Sequence, residues 1–160
     1  MLIKKRQPGF GLVEALVGAA IIAISTAAVL LAFSGGLKLT TRNTQNTRAG
    51  FLLTEGLEAA RVIRDDGWDK GLGLWPSGTA YHLTFSGGTW ATTTNNTFID
   101  GLFDRTIIAT QVYRDGNQDI ASSGAVDPNT KKVTVNVAWR SGSATTTATL
   151  EAYLTNLFND

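Results

Sequence analysis

An uninterrupted apolar run near the N-terminus, from Phe10 to Phe33, constrains this chain more than any other feature, and Glu14 is its only ionisable side chain. As an α-helix rising 1.5 Å per residue, the run is about 36 Å long, enough to cross a bilayer core of about 30 Å. Lys4, Lys5 and Arg6 stand just before it. Their charge holds the N-terminus on the cytoplasmic side and places the bulk of the chain on the other. Of the 160 residues, this segment takes a share that leaves only a modest globular remainder.

Three readings of the run compete. A secretory signal peptide would have a shorter apolar core and would end at a small-residue cleavage site, and none follows here. A plain signal anchor fits the length but leaves Glu14 without a purpose. Processing ahead of the run, between Gly9 and Phe10, accounts for the most residues. Glycine at a cut site lets backbone approach a catalytic centre closely. A cut there also keeps the whole apolar helix on the product, where it must serve some later packing.

At this point the chain resembles a known family. Residues 4 to 24, KKRQPGFGLVEALVGAAIIAI, are similar to the N-terminus of type IV prepilins and of the pseudopilins of type II secretion. A short basic leader, a glycine, a phenylalanine and a glutamate five residues into the mature chain fall on Lys4, Lys5 and Arg6, then Gly9, Phe10 and Glu14. The resemblance implies cleavage after Gly9 by a membrane-embedded prepilin peptidase and methylation of the Phe10 amine. It also implies a pilus assembly platform with its ATPase, and other pilin subunits as partners. Gly11 stands where the family often has threonine, and Ala15 where leucine is common.

Glu14 lies about 6 Å along the axis from Phe10, near the membrane interface. A carboxylate in a dry helix bundle needs a partner. The amine freed at Phe10, on the same or a neighbouring chain, is at the right level to pair with it and set an axial register. Gly11, Ala15, Ala19, Ala23 and Ala27 recur every four residues. They draw a strip of small side chains along one drifting helix face, of the kind that lets membrane helices approach closely. Ser34-Gly35-Gly36 ends the apolar core as a kink, an unwound stretch or simply the membrane exit.

Beyond Leu37 the helix continues to about Arg64. Ala49, Leu53, Leu57, Ala60 and Ile63 form an amphipathic stripe, and Gly67 is the expected stop. Residues 67 to 78 read as loop. Strands are expected over Ala80 to Phe85, Thr89 to Thr93, Phe103 to Arg114, Val133 to Trp139 and Ala144 to Leu154, with Ser141-Gly142-Ser143 as a hairpin loop. The fold class is α+β: a long N-terminal helix, its first half transmembrane, packed on a C-terminal antiparallel sheet of about four strands. The same arrangement is implied by the resemblance to pilins. The expected divisions are a cleaved leader over 1–9, a membrane or filament-core segment over 10–36, an amphipathic helical half over 37–66 and a β-sheet head over 67–160.

The head offers few chemical groups. With no cysteine there is neither a disulfide framework nor a thiolate metal site, and the net charge of +1 points to no nucleic-acid partner. His82 is the one histidine, and it alternates with apolar residues as a structural or solvent-facing side chain would. Asp115, Asn117 and Asp119 alternate like calcium ligands, with Asp127 across the loop. Ile120 and Val126 occupy the positions where an EF-hand needs glycine and glutamate, so an ordinary Asx-rich turn is the favoured reading over a calcium loop. No other cofactor is expected. Asn95-Asn96-Thr97 is a formal glycosylation sequon. Asp65, Asp66 and Asp69 cluster after the helix without a nucleophile, and the four tryptophans suit a core.

No constellation of catalytic groups is present, so a non-enzymatic role is expected. The resemblance implies a filament subunit, held first in the cell membrane with a cytoplasmic N-terminus and later in an extracellular filament or periplasmic pseudopilus. A membrane-anchored extracytoplasmic binding domain that never polymerises is the alternative.

Overall fold

A computed structural model describes residues 11–96 and 98–158. Helix α1 runs without a break from Leu12 to Asp65. Six strands follow: β1 (Ala80–Ser86), β2 (Thr89–Thr93), β3 (Asp104–Arg114), β4 (Ile120–Ala121), β5 (Ala125–Ser141) and β6 (Ala144–Thr155). The chain divides into two compact units, with the boundary between Thr44 and Gln45.

The first unit is helix throughout its described residues after Gly11. Ser34, Gly35 and Gly36 remain helical, so the unwound alternative fails. Two glycines weaken a helix but do not break one whose neighbours are strong formers.

The second unit contains the end of α1 and the whole sheet. The strand order is β2-β1-β3-β5-β6, antiparallel throughout, with β4 paired to β3 off this path. The expected sheet of about four strands is therefore a sheet of six. The strand absent from the sequence reading is β4, which has only two residues and carries no readable period. A second departure lies in β5. Its partner Gln111 faces Lys131 while the next residue, Val112, faces Asp127. The residues between, including Pro128, are looped out of register. A proline without an N–H fits at such an irregularity, which lets β5 begin well before the Val133 expected from alternation.

Turn chemistry sets the hairpins. Gly87 and Gly88 have φ of 61° and 83°, the double left-handed signature of the tight turn that matches strand twist. Gly142, at φ 69°, does the same work between β5 and β6, where Ser141 pairs with Ala144.

The core forms where the amphipathic stripe meets the sheet. Ala49, Leu53, Leu57, Ala60 and Ile63 are all buried, as their spacing predicts, and Leu52, Gly56 and Ala59 widen the stripe. Opposite them stand Ile107 and Ala109 of β3 and Val133, Val135, Val137 and Trp139 of β5. Gly56 makes the closest approach: a methyl group there would sit 2.7 Å from Val135 Cγ1. Trp68, Leu72 and Trp75 fold back from the segment after α1, which forms two short 3₁₀ turns, and close one end of the core.

Candidate functional site

The segment that the sequence marks for function is the N-terminal part of α1. Lys4, Lys5, Arg6, Gly9 and Phe10 lie outside the described residues, and so does the expected pairing of Glu14 with the Phe10 amine. What is described begins at Gly11. Its backbone N–H donates to Glu14 Oε2 at 2.9 Å. With Leu12 as the first helical residue, Glu14 is the third, the position from which a glutamate reaches back to the amide just ahead of a helix. A carboxylate there also lies at the positive end of the helix dipole. Glu14 thus has a local task that the sequence reading did not assign. The signal was available: a glutamate three residues after the residue that precedes the helix.

From Leu12 to Arg48 no residue is buried. Leu12, Val13, Leu16, Ile21, Ile24, Leu31 and Phe33 are each at least 60% exposed, a contiguous apolar surface of the kind that marks a membrane or protein contact. Ala15, Ala19, Ala23 and Ala27 lie on this helix in the spacing read from the sequence, and all four are exposed. Among the described residues α1 is the one helix long and apolar enough to cross a membrane.

Five hydroxyl side chains of this segment bond back to the helix itself. Thr26 Oγ1 donates to the Ile22 carbonyl at 2.8 Å and Ser34 Oγ to the Leu31 carbonyl at 2.9 Å. Thr40, Thr41 and Thr44 do the same to Gly36, Leu37 and Thr40 at 3.1, 3.0 and 3.0 Å. Each hydroxyl that bonds its own helix presents methyl or methylene to the outside. For Thr26 and Ser34, which lie in the apolar stretch, an apolar environment then meets a satisfied donor, as a helix in lipid or in a dry bundle requires.

Residues 4–30 match the family model described as the prokaryotic N-terminal methylation motif. The chain carries the cleavage motif of type IV pilin and pseudopilin precursors. Comparisons with curated proteins and with solved structures find no match. The methylation motif ends within the apolar run, so the helix it introduces is continuous with it. Motif and helix together indicate membrane anchoring and a structural role.

The head holds the remaining candidates. Asp115 Oδ1 accepts the amides of Asn117 at 2.8 Å and Asp119 at 3.1 Å, which is an Asx turn closing the β3–β4 hairpin. Asp127 is occupied elsewhere. Its Oδ2 accepts Arg114 Nε at 2.6 Å and its Oδ1 accepts the Asn129 amide at 2.9 Å. Burial pushes the Asp127 carboxyl up, but the bonds from Arg114, Thr130 and the Asn129 amide outweigh it and hold the group below the ordinary aspartate value. Among the described residues no three histidine or acidic side chains converge as a metal would require. Thr97 of the sequon lies outside the described residues, and Asn96 Nδ2 donates to Asp104 Oδ2 at 3.4 Å.

His82 is structural, as its pattern suggests: Nδ1 lies 3.2 Å from the Arg105 carbonyl and 3.4 Å from Asp104 Oδ1. Trp68, Trp75 and Trp139 are buried in the core. Arg105 is the residue that sequence reasoning missed. It shares the inward face of β3 with Ile107 and Ala109 and is 5% exposed. Its Nη1 donates to Glu55 Oε2 of α1 at 2.9 Å. An arginine two residues before Ile107, within the strand expected over Phe103 to Arg114, was the available signal.

Proposed function

We propose that this chain is a structural subunit of a type IV pilus-like filament, as a major or minor pilin or as a pseudopilin. In this reading a prepilin peptidase removes residues 1–9 after Gly9 and the Phe10 amine is methylated. Residues 10–36 hold the precursor in the cell membrane and later form the filament core. Residues 37–66 join that shaft to the head, and residues 67–160 face the filament surface or the periplasm.

One observation carries the reading: a methylation motif opens directly onto a helix with no buried residue before Ala49. Fully burying a leucine, isoleucine or phenylalanine is worth about 1.5–3 kcal/mol relative to leaving it in water. A helix that exposes so many cannot cross water alone. It must pass from lipid straight into a bundle of similar helices, so extraction is coupled to docking on the growing fibre by an assembly platform and its ATPase. The strip from Gly11 through Ala27 lets neighbours approach, and Glu14, already turned back toward the N-terminus, pairs with the Phe10 amine to set the register.

Mass spectrometry of the protein from its native membrane and from sheared filaments tests this. A chain beginning at a methylated Phe10 and present in the filaments is the expected result. An intact chain beginning at Met1 that stays singly in lipid would support the non-polymerising anchor instead. A chain lacking the apolar helix would refute both.

A further inference from the structure

Among the strands that follow one another along the sheet path, one junction is much weaker than the rest. Strands β3 and β5 pair from Asp104 to Arg114, and β5 and β6 from Thr130 to Ser141. Strand β1 meets β3 only through Ala80 and Tyr81. The remaining length of β1 pairs with β2 alone, from His82 to Ser86 against Thr93 to Thr89. The β1–β2 hairpin is therefore a ribbon attached at its base. A two-stranded ribbon has little stability of its own.

Side chains make up the deficit, and they converge on two consecutive residues of β3. On the outer face, Asp104 receives Asn96 Nδ2 and lies beside His82 Nδ1, which also meets the Arg105 carbonyl. On the inner face, the Arg105 guanidinium lies 5.6 Å from the centre of the Trp90 ring, within cation–π range. Arg105 is in turn held from α1 by Glu55 and by the Leu52 carbonyl. Arg105 Nε and Asp104 Oδ1 are buried without a hydrogen-bond partner, so the fastening is electrostatically incomplete on both faces.

We propose that the β1–β2 hairpin is a flap that opens as a unit, ahead of the rest of the head, and that Asp104 and Arg105 are its latch. Closed, the flap buries its own Leu83 against the core and covers the Arg105 guanidinium, 6% and 5% exposed. Open, it uncovers both while α1, β3, β5 and β6 keep their packing. Opening breaks two ladder pairs, the latch contacts and the packing of Leu83 and Tyr81 on the core, still far less than global unfolding does, and units of this kind dominate native-state exchange. This inference is independent of whether the chain polymerises.

Amide hydrogen exchange on the full chain in detergent tests it. In the wild type, amides of the β1–β2 ladder are expected to exchange at least about tenfold faster than those of Val133 to Val137, as a sub-global opening requires. Trp90→Leu should speed the hairpin amides further, by roughly tenfold for loss of a partly desolvated cation–π contact, and Asp104→Asn, which removes the charge beside His82, should speed them too, with Val133 to Val137 unchanged in both. Lys132→Met, which removes the Lys132–Glu151 ion pair near the opposite edge, should leave the hairpin amides as they were. Equal protection of the two ladders in the wild type overturns the proposal without any variant. So does a latch substitution that leaves the hairpin rates unchanged or speeds both ladders alike.

Discussion

Two glycines in the same helix should respond differently to the same substitution. Gly50 and Gly56 are six positions apart in α1, and replacing either by alanine gains about 1 kcal/mol of helix propensity. At Gly50 the new methyl group meets nothing within 4 Å. At Gly56 it would lie 2.7 Å from Val135 Cγ1 and 3.3 Å from Arg105 Cδ. Val135 is fully buried, β-branched and lies on β5 between β3 and β6, so its side chain has little freedom to give way. Overpacking of this kind costs about 1–3 kcal/mol. Gly50→Ala should therefore stabilise the head by about 1 kcal/mol, while Gly56→Ala is neutral or destabilises by up to about 2 kcal/mol. Urea unfolding of the full chain in detergent, followed by tryptophan fluorescence, measures both, because Trp68, Trp75 and Trp139 all lie in the core of the head. Gly56→Val should be worse than Gly56→Ala. If Gly56→Ala proved as stabilising as Gly50→Ala, the helix–sheet contact would not be the tight one described here.

Further outcomes follow from the same geometry. Glu55→Ala leaves the buried Arg105 guanidinium without its carboxylate and should cost about 1–3 kcal/mol in the same unfolding assay; Glu55→Gln, which keeps an acceptor, should cost less. Asp127 has a carboxyl depressed in the folded state, so its contribution is complete above the ordinary aspartate value of about 3.9 and is lost as pH falls through the lower folded value. Asp127→Asn should therefore reduce stability at neutral pH and converge with the wild type in acid, as read from urea midpoints across pH. On the proposed role as a filament subunit, Glu14→Gln should leave membrane insertion intact but reduce recovery of the protein in sheared filaments. Ala19→Leu and Ala23→Leu should hinder that recovery more than Ile22→Leu does.

Much of this was legible because the residues concerned act locally. The apolar run predicts a helix by length alone, and the stripe from Ala49 to Ile63 names the face that becomes buried, whatever it packs on. Alternation at Val133, Val135, Val137 and Trp139 does the same for β5. Ser141-Gly142-Ser143 marks a turn because few residues other than glycine accept a positive φ. Strand β4 was illegible because two residues carry no period, and the early start of β5 was hidden because Pro128 reads as a break unless the register slip beside it is known.

The pairings that cross the chain depend on the assembled fold. Nothing near Arg105 in sequence shows that Glu55 meets it from one side and Trp90 from the other. Nothing near Gly56 shows that Val135 will press against it. Asp127 looks like a loop ligand until Arg114 is placed opposite by the β3–β5 ladder. Sequence alone settled what the long helix and the long alternating strand would become, since propensity, period and hydrophobicity are properties of neighbours along the chain. Tertiary structure decided which segments touch and which charges are spent on each other, since burial and short-range electrostatics depend on distances that only the folded sheet and helix bring into being.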